Sequence, residues 1–307
     1  MTAVKPVTPS SDAVPLWLRV ASRTPWTLLY GFARFVTWLM HRVFRSRLDV
    51  VRANLAGAFP SLDPRERARI EKRYFRFLGE LVVEAIKAAT ITPDELRARV
   101  QLKSLDVVKA ELDAGRSVLI IAAHQCNWEW MLLAMSLELG HPMDAAYKPL
   151  KGKQGERIMR AIRTRFGGRL IPAKEMLADI IAKRGQVRAV AMVADQEPVT
   201  TDYKWWTTFM DRETAFYMGP EKIARATRFA VIFAGMRHIA RGRYEVSFEK
   251  ISEAREIFEA GAITERYVRL VEREIRANPS DWIWSHRRWR LQKDADDAEP
   301  AKRAATS

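Results

Sequence analysis

The chain has 307 residues, of which 48% are hydrophobic and 29% charged, a composition that excludes wholesale disorder and a polytopic membrane protein and leaves ample material for a buried core. Its 52 lysines and arginines against 37 acidic residues leave a net charge of +15, which favours polyanionic partners: nucleic acid, a phospholipid surface or a phosphorylated substrate. A single cysteine, Cys126, excludes an internal disulfide framework and points to a reducing compartment, with a disulfide-free periplasmic protein as the alternative.

Residues 1–14 lack a basic n-region and an immediate apolar run, so they read as a loose polar tail and not as a cleavable signal. Structure is expected to begin near Pro15. Residues 26–40, WTLLYGFARFVTWLM, are strongly apolar, yet Arg23, Arg34 and Arg42 interrupt them well below the ~18 uncharged residues of a spanning helix. On a helical wheel Leu28, Leu29, Phe32, Phe35, Val36, Leu39 and Val43 share one side. Thr27, Gly31, Arg34, His41 and Arg45 lie opposite, with Trp38 intruding on the polar side. Residues 15–48 are therefore predicted to be a helical segment associated with a membrane surface, where tryptophans and arginines suit the headgroup layer. The alternative is a helix packed on the protein's own core.

Residues 64–90 follow helical periodicity, with Pro64 acceptable in the first turn and Pro93 beyond the end. From there short apolar runs, SVLIIAA, MDAAY, RAVAMV, FAVIFAGM and RYEVSFEKI, alternate with helical stretches. Those stretches are 127–139, 153–165, 174–184, 215–228 and 262–277. The alternation predicts an α/β fold, a mostly parallel or mixed sheet covered by helices. No repeat and no linker interrupts residues 49–290, so they read as one domain; residues 291–307 are polar, small-residue rich and expected to be disordered.

The stretch VLIIAAHQCNWEWMLLA places His124, Cys126, Asn127 and Glu129 between two apolar runs. SVLIIAA reads as a buried strand and NWEWMLLAMSLEL as the following helix, with Asn127 available as its N-cap. His124 then lies at the carboxyl end of a strand, where α/β proteins place ligand sites. Glu129 falls in the first helical turn, where the macrodipole favours an ionised carboxylate. A carboxylate accepting from one imidazole nitrogen fixes the tautomer and leaves the other nitrogen as a base for a hydroxyl attacking a carbonyl. The bland alternative is a loop histidine and a helix-tip charge that do not meet. Cys126 offers a rival Cys/His pair without preset geometry, and no metal-ligand spacing is present.

AAHQCNWEW resembles the H-x4-D/E block of the lysophospholipid acyltransferase superfamily. YKPLKGKQGERIMRAIRTRFGGRLI, VADQEP, WWTTFMDRETAFYMGPEKIARAT and DWIWSHRRWR resemble, in order, further blocks of the bacterial lipid A biosynthesis lauroyl or myristoyl acyltransferase branch, together covering most of residues 115–290. The resemblance implies a glycerol-3-phosphate acyltransferase-like fold and transfer of a fatty acyl group from acyl carrier protein, or CoA, to a hydroxyl of a membrane glycolipid. It implies no metal or organic cofactor, with His124 as general base and Glu129 as its orienting carboxylate. Arg165, Asp195, Gln196, Lys148 and Asn127 become the substrate-binding candidates. Lys148 stands where an arginine is common in the family, and a guanidinium fork would bind phosphate bidentately where lysine offers a point charge.

Two basic stretches allow other readings. Lys222, Arg225 and Arg228 recur at spacings of three, as a solvated face or as a contact for an acidic carrier or lipid phosphate. WIWSHRRWR interleaves aromatics and cations, a pattern that can bind single-stranded nucleic acid, or else packs its tryptophans on the body while Arg287 and Arg288 face an anionic substrate and His286 stays structural. The leading expectation is an O-acyltransferase at the cytoplasmic face of the inner membrane, acting on a lipid A precursor or another lysolipid, glycolipid or pigment headgroup, with no nucleic-acid partner. The rival is a basic nucleic-acid-binding protein without catalysis.

Overall fold

A computed structural model describes residues 14–43, 45–199 and 203–293, with the side chains of 41–46 left undescribed. The expected tails lie almost wholly outside this set. Leu291 lies within it, and its N–H donates to Glu197 at 2.7 Å.

Helices α1 (Leu16–Arg23), α2 (Trp26–Val43), α3 (Arg45–Ala58) and α4 (Pro64–Lys87) come first. Asp63 starts α4 by accepting the Arg65 N–H, and Pro64 occupies the first turn, where its missing donor costs nothing. Helix α2 lies closely on α4 because Gly79 has no side chain: a Cβ there would collide with Thr37 Oγ1 and the Ala33 carbonyl. Leu29 and Ala33 of α2 pack with Val83 of α4. The rest of the apolar side of α2, Leu28, Phe32, Phe35 and Leu39, stays exposed together with Trp38. No described helix is long and apolar enough to cross a membrane.

The α/β part runs α5 (Pro93–Arg99), β1 (Val100–Lys103), α6 (Asp106–Asp113), β2 (Val118–Ala122), α7 (Trp128–Glu138), β3 (Met143–Tyr147), α8 (Lys153–Arg163) and β4 (Arg169–Pro172). It continues with α9 (Met176–Ala182), β5 (Ala189–Val193), β6 (Lys204–Phe209), β7 (Arg212–Tyr217), α10 (Gly219–Thr227), β8 (Ala230–Ala240), β9 (Arg243–Ser252) and α11 (Ala262–Ala277). Seven strands form one sheet in the order β1-β9-β8-β2-β5-β3-β4. All neighbours are parallel except β8 with β9. The expected mostly parallel α/β architecture is thus present, and β2 is central because both its faces are apolar. Leu119 and Ile121 point to one core layer, Val118, Ile120 and Ala122 to the other.

Residues 215–228, expected as one helix, instead divide between β7 and α10. Strand β7 pairs antiparallel with β6 through a two-residue turn in which Met210 and Asp211 both have positive φ, 52° and 60°. That is the turn geometry that suits a tight hairpin, but Met-Asp carries none of the usual Asn-Gly signal. Gly219 and Pro220 then open α10 in place of extending a helix through 215.

Candidate active site

In the paired strands β2 and β5, Ala122 stands opposite Val193. His124 and Asp195 each lie two residues beyond that pair, so the topology brings together side chains 71 positions apart in sequence. Asp195 Oδ1 lies 2.7 Å from His124 Nδ1, and Oδ2 accepts the His124 backbone N–H at 3.0 Å. Trp282 Nε1 donates to the same Oδ2 at 2.7 Å. Asp195 is fully buried. Burial pushes its carboxyl up, but the attraction of His124 and the hydrogen bonds from His124 and Trp282 outweigh it and hold the pKa below the ordinary range. A carboxylate at Nδ1 places the proton there and leaves the lone pair on Nε2, which among the described residues has no hydrogen-bond partner.

The expected contact between His124 and Glu129 is not formed. Both oxygens of Glu129 are taken by the Arg163 guanidinium fork, at 2.6 and 2.8 Å, and Trp128 Nε1 donates to Oε1 at 3.2 Å. Glu129 does sit in the first turn of α7, as expected. Its partner comes from α8, and the imidazole's carboxylate comes from the neighbouring strand. Spacing in one segment could not show either pairing, because both depend on which elements become neighbours.

An apolar cavity of about 310 Å³ opens beside His124. Its floor is the sheet, where Ala122, Ala191 and Ala145 of adjacent strands leave room that larger residues would fill. Met131, Leu132 and Met135 of α7 form the wall, and Leu170 closes the far side. At the mouth stand Glu129, Arg163, Lys148 and Gln196 around the imidazole. Lys148 and Gln196 are exposed there. A separate depression near Arg184 and Arg228 borders the amino ends of β2, β5 and β8, away from this chemistry.

Three substrate-binding candidates are used otherwise, the first being Asp195, whose buried carboxylate is taken by His124 and Trp282. Arg165 donates to the Ala88 carbonyl at 2.6 Å, just past the end of α4, and lies outside the cavity. The arginine in the cavity is Arg163, two residues earlier, whose position on the inward side of α8 the sequence reading missed. Asn127 is buried: Oδ1 accepts the Trp130 N–H at 3.0 Å as an N-cap, and Nδ2 donates to Glu84 at 2.8 Å. Both ends of its amide are spent inside the protein, so it supports the site from behind. Glu84 in turn is buried and also accepts from the hydroxyls of Tyr30 and Tyr244, and burial raises its pKa to about 7.

Cys126 is fully buried, its S–H directed at the Met236 carbonyl, and burial pushes the thiol well above its ordinary value. It stays a thiol, which removes the Cys/His alternative. The C-terminal run packs against the same loop. Cys126 N–H donates to the Asp281 carbonyl at 2.8 Å, and Trp282 and Trp284 are buried. Arg288 is also buried, over the Phe216 ring and donating to the Ala215 carbonyl. It therefore does not face an anionic substrate, and this run is no stacking platform for bases. His286 Nε2 accepts the Glu197 N–H at 3.1 Å. Among Lys222, Arg225 and Arg228, the last lies past the end of α10 with φ 57°, and Arg225 donates to the Phe258 carbonyl. Among the described residues no cluster of three His, Cys, Asp or Glu side chains is placed to hold a metal ion.

A buried carboxylate thus holds an imidazole at the carboxyl edge of a mostly parallel sheet, beside an apolar cavity, in an α/β fold. Residues 13–291 match the bacterial lipid A biosynthesis acyltransferase family, and the chain belongs to it. It is similar to the "Lipid A biosynthesis acyltransferase" of Haemophilus influenzae, 22% identical over 285 residues that cover 92% of this chain and 90% of that protein. The protein is therefore an enzyme that transfers acyl groups, as the motif resemblance implied.

Proposed function

We propose that the enzyme moves a fatty acyl chain from a thioester, acyl carrier protein before CoA, to a hydroxyl of a lipid A precursor at the cytoplasmic face of the inner membrane. His124 Nε2 takes the proton from the acceptor hydroxyl as that oxygen attacks the thioester carbonyl. The tetrahedral adduct then collapses, the carbon–sulfur bond breaks, and the imidazolium returns the proton to the departing thiolate, giving ester and free thiol. Asp195 positions the ring and stabilises its charged form, the role that spacing had assigned to Glu129. Glu129 and Arg163 form a fixed ion pair at the cavity mouth that orients the donor's head, while Lys148 and Gln196 offer donors to the carbonyl oxygen as charge develops. The alanine-floored cavity takes the acyl chain. The exposed apolar residues of α1 and α2 support residence on a membrane surface.

The observation that carries this reading is the imidazole itself, held by a buried carboxylate at the mouth of an apolar cavity. His124→Ala is expected to retain the circular dichroism and melting of the parent while acyl incorporation from a thioester donor falls by about 10²- to 10⁴-fold. Retained transfer in that variant overturns the mechanism. Mass spectrometry of lipids from cells with and without the gene names acceptor and chain together.

A further inference from the structure

Helices α2 and α4 enclose a groove of about 780 Å³ on the side of the molecule that also bears the exposed apolar residues of α2. Five cations line it, Arg34 from α2 and Arg69, Lys72, Arg73 and Arg76 from α4. The four on α4 stand at positions i, i+3, i+4 and i+7 and share a face. Elsewhere many arginines are paired, among them Arg97, Arg116, Arg163 and Arg169. Among the described residues none of the five groove cations forms an ion pair. The acid in the groove, Glu71, is gripped by the Arg52 fork at 2.9 and 3.3 Å. Five positive charges around one concavity, none of them in an ion pair among the described residues, repel one another. They fit an anionic ligand.

The groove is connected to the chemistry. Phe75 lines both it and an adjoining depression of about 390 Å³, whose walls include the apolar residues Met40, Leu78 and Ile283. That depression reaches Gln196, which also lines the cavity at His124. Through Phe75 and then Gln196 the groove, the depression and the cavity at His124 thus share walls in sequence, a trough running from the cations toward the cavity mouth. At its outer end Trp38 lines the groove and stacks on Phe35, with centroids 5.8 Å apart, and Phe35 belongs to the exposed apolar side of α2.

We propose that this groove is the acceptor subsite, binding the phosphate-bearing headgroup of the lipid whose hydroxyl reaches His124. The proposal rests on the reading of the enzyme as a lipid acyltransferase and assigns its two substrates to the groove and to the cavity. The acceptor's own chains stay in the membrane beneath the apolar side of α2, its phosphate rests on the α4 cations, and the trough guides the sugar hydroxyl inward. Charge alone would equally suit an acidic carrier protein. The aromatic rim continuous with a lipid-facing surface, and a concave shape in place of a broad docking face, favour the lipid.

The test pairs Arg69→Ala/Lys72→Ala/Arg73→Ala in the full chain with a phosphorylated glycolipid acceptor and its dephosphorylated counterpart, assayed in neutral non-ionic detergent. Lys103→Ala/Lys109→Ala/Arg184→Ala removes equal charge elsewhere as the control. Removing the cations or the phosphate is expected to raise the acceptor KM roughly tenfold each, removing both is expected to add nothing further, and kcat and donor KM are expected to hold. An unchanged acceptor KM, independent additive effects, or an equal rise in the control overturns the subsite. A rise in donor KM assigns the surface to the carrier protein, and a loss confined to binding phosphatidylcholine vesicles containing phosphatidylglycerol assigns it to bilayer charge; either overturns the proposal. Failure of the unmutated enzyme to acylate the phosphorylated acceptor would instead sink the functional reading itself.

Discussion

The two faces of the central sheet use the same strands for different ends. On one, Phe233, Tyr267, Phe216, Phe209 and Trp282 interlock edge to face, with centroids between 5.2 and 6.4 Å. On the other, at the carboxyl edge, the matching layer is Ala122, Ala191 and Ala145, and a cavity remains under α7. Alternation along a strand sends successive residues to opposite sides, so one short sequence can supply rigidity on one face and space on the other. The His124–Asp195 pair sits where the two meet. The filled side grips the carboxylate through Trp282, and the open side receives the imidazole.

That division can be broken most forcefully at the carboxylate. Asp195→Asn preserves size and can still accept from Trp282, but its amide would donate to Nδ1 and move the ring proton to Nε2. A fall in kcat of roughly 10²- to 10⁴-fold at nearly unchanged melting temperature is expected, measured by acyl transfer alongside calorimetry. A variant with near-normal turnover would show that the ring does not need this partner.

A matched pair sharpens the contrast between faces. Phe233→Ala on the filled side is expected to cost about 3–5 kcal/mol in chemical denaturation, with kcat per folded molecule preserved. Ala191→Phe on the open side is expected to leave stability nearly unchanged and to reduce kcat/KM for long acyl donors by roughly 10- to 200-fold, short donors being spared. Equal effects on stability at both positions would erase the distinction.

The smallest effect concerns Glu84, behind the N-cap of α7. Burial keeps it protonated to about pH 7, against an ordinary value of 4.5, so folding takes up a proton in that window. Stability is full below the lower value and declines as pH rises through the upper one, by on the order of 1–3 kcal/mol. Glu84→Gln is expected to flatten the dependence of melting temperature on pH over this range; an unchanged slope would assign it to another group.

Much of this molecule was legible along the chain. The boundaries of α4, α7 and α11 follow from caps, prolines and apolar periodicity, which act within a few residues. His124 at a strand end and Asp195 after a later strand were legible for the same reason. The hairpin of β6 and β7 was not, because Met-Asp lacks a glycine at the turn and the positive φ of Met210 is imposed by the pairing of the strands. Likewise the inward side of α8 was hidden, so Arg165 stood out where Arg163 does the facing.

The sequence by itself determined the strands β2, β3, β5, β8 and β9 and the longer helices, that the sheet would be covered by helices, and that a histidine stands between a strand's carboxyl end and a helix start. Tertiary structure alone decided its partner, its cavity and its approach. Strand order β8-β2-β5-β3 makes Asp195 the neighbour of His124 and gathers alanines from three strands into one floor, while the packing of α2 on α4 gathers the cations of both helices around one groove. Local rules act through backbone torsions and near neighbours, whereas charge pairs and voids are set by distances across the fold, which no single window of residues contains.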